Sequence, residues 1–176
     1  MTTIAIVGTG RMGTAYAKRL IEADYDVTVW NRTPSRTTAA AEAGAKVAAD
    51  LAAVAAADTI LVSLTDAAAV EAATAGLIRA GITAKLVIDL STLLPDETRA
   101  LAEKITAAGA DFVDCPVGGT VGPALKGQLL GMAGGTDSAF ARAKPVLEQL
   151  CRRVEHLGPA GTGAQMKLAV NLPLAI

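Results

Sequence analysis

The chain has few aromatic residues, one histidine, two cysteines, almost no net charge and no long apolar run. Each shortage excludes something. Aromatics supply 3% of its 176 residues, so an apolar content of 52% rests largely on alanine and aliphatic side chains. A formal net charge of −1 gives no electrostatic basis for binding nucleic acid or an acidic membrane. One histidine and two cysteines without ligand spacing exclude a metal site of the usual kind. His156 reads as a strand-end residue. Cys115 and Cys151 are far apart in sequence and suit free thiols in a reducing cytoplasm better than a disulfide framework. No apolar stretch reaches the roughly 18–20 residues that span a bilayer. The opening "MTTIAIVGTG" lacks the basic region and cleavage site of a signal peptide. These readings predict one cytoplasmic domain with a proper core and a small-molecule substrate.

Short β-branched runs alternate with alanine-rich helical stretches. Residues 3–7, 26–30, 59–64 and 85–90 read as buried strands, with weaker candidates at 45–49, 110–114, 128–135 and 152–157. The stretches between them have helical length and composition, beginning at Asp, Ser or Pro and ending near Gly. Strand–helix repetition predicts an α/β fold: a doubly wound, mostly parallel sheet with helices on both faces. "CPVGGTVGPALKG" (115–127) is the longest irregular stretch. Ordered loops of that length tend to carry function.

"IAIVGTGRMG" sets Gly8, Gly10 and Gly13 in the G-x-G-x-x-G spacing, after a strand and opening a helix. Gly8 permits the tight turn, Gly10 lets the backbone approach a pyrophosphate, and Gly13 lets the helix pack on the strand. The helix N-terminus, with Thr9, Arg11 and Met12 around it, offers N–H groups to phosphates. This context predicts a dinucleotide site. The second strand ends at "VWNRTPSR", where Asn31 stands in place of the acid that usually holds an NAD ribose. No carboxylate repels a 2′-phosphate there. Arg32 and Arg36 supply cationic donors, and Asn31 and Thr33 neutral ones, so the cofactor predicted is NADP(H).

Four motifs together resemble the β-hydroxyacid dehydrogenases, the family of 3-hydroxyisobutyrate dehydrogenase and the glyoxylate/succinic semialdehyde reductases. They are "GTGRMG", "DLSTLLP" (89–95), "DCPVGGTVGPALKGQL" (114–129) and "GTGAQMKLAVN" (161–171). The resemblance implies hydride exchange between a nicotinamide and a small β-hydroxyacid, or the matching aldehyde or keto acid. It implies that Ser91 and Thr92 lie near nicotinamide and substrate, with Leu64 and Thr65 against the cofactor ribose. It also implies a substrate-binding glycine loop at Gly118, Gly119 and Thr120. There the chain departs from the family: glycine replaces the serine of P-V-S-G-G, and threonine replaces its second glycine. Either Thr120 substitutes for the lost hydroxyl or the substrate lacks the usual carboxylate.

Lys167 and Asn171 are four residues apart and share a helix face. Met166, Leu168, Ala169, Val170 and Leu172 around them predict an apolar setting for the ammonium, which suits acid/base work. In the resembling family the matching lysine is catalytic, and its helix leads into an all-helical second domain that also joins two subunits. The expected division is a dinucleotide-binding Rossmann domain over 1–160 and the start of an interdomain helix over 161–176. The helical domain is expected to be absent, the pocket incomplete, activity weak and the parent protein a homodimer. Pro173 predicts a kink or end to the helix. Two other readings stand beside this one: an imine reductase, whose relatives usually replace the lysine, and a non-catalytic dinucleotide-binding module.

Overall fold

The central runs at 3–7, 59–62 and 86–89 pair because each is apolar on both faces and must be covered on both, whereas the run at 26–30 is buried on alternate residues. The computed structural model describes residues 2–172; Pro173 lies outside them. The elements, in chain order, are β1 (Thr3–Val7), α1 (Arg11–Glu22), β2 (Asp26–Trp30), α2 (Thr38–Ala41), β3 (Lys46–Val47), α3 (Leu51–Ala55), β4 (Thr59–Val62), α4 (Ala67–Ala80) and β5 (Leu86–Asp89). Then follow α5 (Pro95–Ala107), β6 (Asp111–Asp114), β7 (Val117–Gly118), α6 (Val121–Leu125), β8 (Leu129–Gly135), α7 (Asp137–Leu150), β9 (Cys151–His156) and α8 (Thr162–Asn171).

The sheet runs β3-β2-β1-β4-β5-β6-β8-β7, with β9 on β8. It is parallel from β3 to β6, and β8 then pairs antiparallel with β6 and β7. The chain winds outward from β1 to β2 and β3 on one side, then returns to β4, β5 and β6 on the other. That reversal is the doubly wound pattern.

Alternate strand residues face two separate cores. Ile4 and Ile6 of β1 join α1 and α7 on one face, where Tyr16, Leu20, Val146 and Leu150 are buried. Ala5 and Val7 join α3, α4 and α5 on the other, with Val54, Leu77 and Ile105. Period-2 burial of this kind fixes register, because a one-residue slip would exchange the faces.

Three local expectations need correction. The 34–44 stretch is not one helix: a 3₁₀ turn over Pro34–Thr37 precedes a single α turn. The strand at 45–49 shortens to two exposed residues at the sheet edge. The 115–127 stretch is only partly irregular, because Val117–Gly118 pairs with β8 and Val121–Leu125 forms a short helix. All three are short pieces whose structure comes from tertiary contact, where local propensity is weak.

Candidate functional site

Five strands end in one row. The register pairs Trp30 with Val7, Val7 with Val62, Val62 with Asp89, and Asp89 with Asp114. The five following loops therefore lie side by side along the carboxyl edge, where open α/β sheets bind ligands. Two clefts open along this edge. One, of about 370 Å³, is lined by Gly8, Gly10, Asn31, Arg32, Thr33 and Arg36 on one side and by residues of α4 on the other. The second, of about 340 Å³, is lined by Met12, Tyr16, Ser91, Thr92, Gly119 and Lys167, among others. Ser63, Leu64 and Thr65 border both, so the two clefts meet over the end of β4.

The three glycines of the first turn do different work. Gly8 has φ +99°, and a Cβ there would run into the Ser63 carbonyl and lie 2.8 Å from Leu64 Cδ2. A Cβ on Gly13 would collide with the Gly8 carbonyl, so α1 packs directly on the turn. Gly10 has nothing within 4 Å of its Cβ position and faces the open cleft. It caps α1 without a side chain to occupy the first-turn N–H groups, and no acidic residue stands in that turn. Bare amides at the positive end of a helix, beside open space, fit a diphosphate.

A family model for the NAD-binding domain of 6-phosphogluconate dehydrogenase matches residues 3–158. The chain belongs to that family. It is 36% identical over 180 residues to the 3-hydroxyisobutyrate dehydrogenase of Pseudomonas aeruginosa, covering 100% of this chain and 60% of the relative. A structure of Mycobacterium tuberculosis 3-hydroxyisobutyrate dehydrogenase with L-serine superposes with TM-score 0.96 at 34% identity, covering 99% of this chain and 60% of that one. A reductive aminase from Aspergillus terreus, solved with NADPH4, cyclohexanone and allyl amine, superposes with TM-score 0.89 at 29% identity, covering 99% of this chain and 61% of the other. The chain thus spans about 60% of the length of these proteins.

Within this NAD-binding domain the expected residues separate by environment. Asn31 lines the first cleft, but its amide is engaged within the protein. Its Oδ1 accepts from the Thr9 N–H at 3.1 Å, and its Nδ2 donates to the Thr33 carbonyl at 3.1 Å. It ties the glycine turn to the end of β2. Arg32 and Arg36 are exposed on that cleft, and neither enters an ion pair among the described residues. The acid lining the same cleft, Asp66, caps α4 by accepting from the Ala69 N–H at 2.8 Å. Arg11 is exposed at the start of α1, and Met12 lines the second cleft. Ser91 is buried, and its Oγ accepts from the Leu64 N–H at 3.1 Å, fixing the border between the clefts. Thr92 is exposed on the second cleft.

The glycine segment differs from the expected loop. Gly118 sits in β7 opposite Leu130, and Thr120 is the exposed residue before α6, its hydroxyl making no cap bond. Of the three, Gly119 lines the second cleft. Lys167 reaches that cleft and is half-buried, with Asn171 one turn further along α8. The apolar setting predicted around Lys167 is not assembled here. Met166, Leu168, Val170 and Leu172 are exposed, because beyond its first turn α8 leaves the body of the domain.

Several contributors carried no separate signal in the sequence reading. Tyr16 borders the second cleft one turn after Met12, and burial pushes its phenol well above the ordinary value. Asp89 and Asp114 open the second and third motifs, yet only pairing of β5 with β6 makes them neighbours. Asp89 Oδ1 accepts from the Ser91 N–H at 3.0 Å, and burial raises its carboxyl to about 6. The two thiols, distant in sequence, meet in the fold: Cys115 and Cys151 Sγ both approach Gly131, at 3.1 and 3.2 Å from where its Cβ would be. Both are free and buried, and burial lifts Cys151 to about 12. His156 ends β9, stacked on Phe140 with ring centroids 4.5 Å apart. Among the described residues no cluster of potential metal ligands occurs, and no helix is long and apolar enough to cross a membrane.

Proposed function

We propose that this chain is the NADP(H)-binding domain of an oxidoreductase that exchanges hydride with a small β-hydroxyacid or its aldehyde or keto acid. The observation that carries the reading is the continuous groove along the strand ends, with Arg32 and Arg36 at one end and Lys167 at the other. A nicotinamide, when bound, supplies the hydride. The backbone at Gly10 holds the diphosphate, and the paired arginines hold a 2′-phosphate where no acid repels it. Lys167 Nζ donates a proton to the substrate oxygen as negative charge develops there, and Asn171 on the same face orients that oxygen. The Ser91 hydroxyl, its oxygen accepting from the Leu64 amide and its side chain bonded to the Asp89 carboxylate, holds the border of the second cleft in place. The working unit is a homodimer resident in the cytoplasm.

Likeness to the reductive aminase supports a second reading, reduction of imines, and the missing hydroxyl at Gly118 is compatible with it. Turnover of cyclic imines without turnover of semialdehydes would select it. The cofactor test is direct. Arg32→Ala should weaken NADPH binding at least about tenfold, the loss of one charge-assisted phosphate bond. NADH binding should change less than about twofold, and equal losses would remove the preference for the phosphorylated cofactor.

A further inference from the structure

The start of α8 lacks a cap of its own. Gly161, with φ +92°, precedes the helix and has no side chain to satisfy its first amides. A carboxylate from 47 residues earlier does so instead. Asp114 Oδ1 accepts from the Gly161 N–H at 2.8 Å, and Oδ2 accepts from the Ala164 N–H at 2.9 Å. The fit leaves no slack. A Cβ on Gly134 would lie 2.6 Å from Oδ1, and one on Gly163 would lie 2.7 Å from Oδ2. Two glycines on different elements thus border the buried acid, and Gly163 lets α8 approach the Met132 carbonyl of β8 as well, which a Cβ there would run into. No cation pairs with Asp114 among the described residues; its partners are backbone amides at the cap and first turn of α8. A bare carboxylate at this depth is costly unless a helix N-terminus compensates it.

The placement of Asp114 gives the clamp a purpose. It ends the strand row whose loops floor the groove, and Lys167 stands one turn beyond Ala164, lining the second cleft. Past that first turn the helix is largely exposed, so the lysine's place depends on how the first turn is held: by packing against β8 and by the Asp114 carboxylate. We propose that Asp114 is a positioning residue: its carboxylate locks the first turn of α8 to the end of β6 and so sets where Lys167 stands over the cleft. This rests on the reading of Lys167 as the group that faces substrate.

Asp114→Asn is the discriminating change, because an amide keeps one acceptor and turns the other into a donor facing a donor. Three measurements on the full chain decide the matter: amide exchange of Gly161 and Ala164, NADPH affinity, and acetylation of Lys167 by acetic anhydride with and without NADPH. In the unaltered chain both amides should be protected and NADPH should slow acetylation of Lys167. In Asp114→Asn, exchange at one or both amides should accelerate about tenfold or more, the worth of a hydrogen bond to a charged group. NADPH protection of Lys167 should fall at least about threefold while NADPH affinity stays within about twofold, a split that general loosening of the fold would not produce. Full protection of Lys167 in the variant overturns the positioning role alone. Absence of protection in the unaltered chain overturns the reading of Lys167 and takes the positioning role with it. If Asp114→Asn does not fold, the unaltered chain in graded urea still decides. Protection of Ala164 from exchange and protection of Lys167 from acetylation should be lost together, below the global transition. Separate losses overturn the proposal.

Discussion

Gly8 and Gly10 share a motif and a residue type, yet the structure separates what they do. Gly8→Ala places a methyl against the Ser63 carbonyl at a positive φ, so it should cost about 3 kcal/mol or more of stability, read from urea unfolding. Gly10→Ala meets open space at φ −66° and should leave the unfolding midpoint nearly unchanged. Its methyl enters the volume assigned to the diphosphate, so NADPH affinity should fall about tenfold or more. Asp89 makes a prediction of the opposite kind, about pH. Its folded carboxyl titrates at about 6 because burial disfavours the charge, whereas an unfolded Asp titrates near ~3.9. Between those values the folded state holds the extra proton, so this group takes stability away as pH rises from about 4 to 6. A shift of that size corresponds to roughly 3 kcal/mol. Asp58, held below its ordinary value by two bonds from Thr3, acts in the other direction and at lower pH. Melting of Asp89→Asn across pH 4 to 7 should therefore show a flatter profile than the parent chain, with the largest gain at pH 7.

At the scale of elements, the segment from β7 to α6 departs most from its motif. The missing side chain at Gly118 is not enforced by packing. A Cβ there would meet Leu130 Cβ at 3.7 Å, an ordinary contact, and Gly118→Ser should leave the melting temperature unchanged or slightly raised. Gly119 is different. Its φ is +128° and a Cβ would lie 2.6 Å from Leu129 Cδ2, so Gly119→Ser should lower stability by about 1–3 kcal/mol. If the measured pair follows this order, position 118 is free to carry a hydroxyl and its absence belongs to ligand choice rather than to folding. On α8 the buried first turn and the exposed remainder divide one helix between two duties. The first turn belongs to the domain, and the exposed Leu168, Val170 and Leu172 form an apolar stretch beyond it.

For the whole molecule the groove couples ligand and stability. A cofactor that binds the folded chain and not the unfolded one stabilises it by about 2.7 kcal/mol at a hundred times its dissociation constant. For a chain of this size that corresponds to a rise in Tm of about 5–10 °C, and thermal melts with NADPH at that concentration and NADH at the same concentration check it, NADPH giving the larger rise. Arg32→Ala should abolish the NADPH advantage in the same experiment. A domain that spans about 60% of its relatives' length can pass this test whether or not it turns over substrate.

The sequence by itself determined the α/β class, the positions of the main strands along the chain and the glycine turn, because these depend on periodicities of two and 3.6 and on side chains within one turn of each other. It also brought Lys167 and Asn171 onto one face, a local fact of helix geometry. Tertiary structure alone decided what lies across strands. It put Asp89 beside Asp114, spent the Asn31 amide on Thr9 and Thr33, brought two distant thiols against Gly131, and left the setting of Lys167 open instead of apolar. Contacts of that kind depend on strand order and register, which no stretch of the chain encodes until its partners have folded around it.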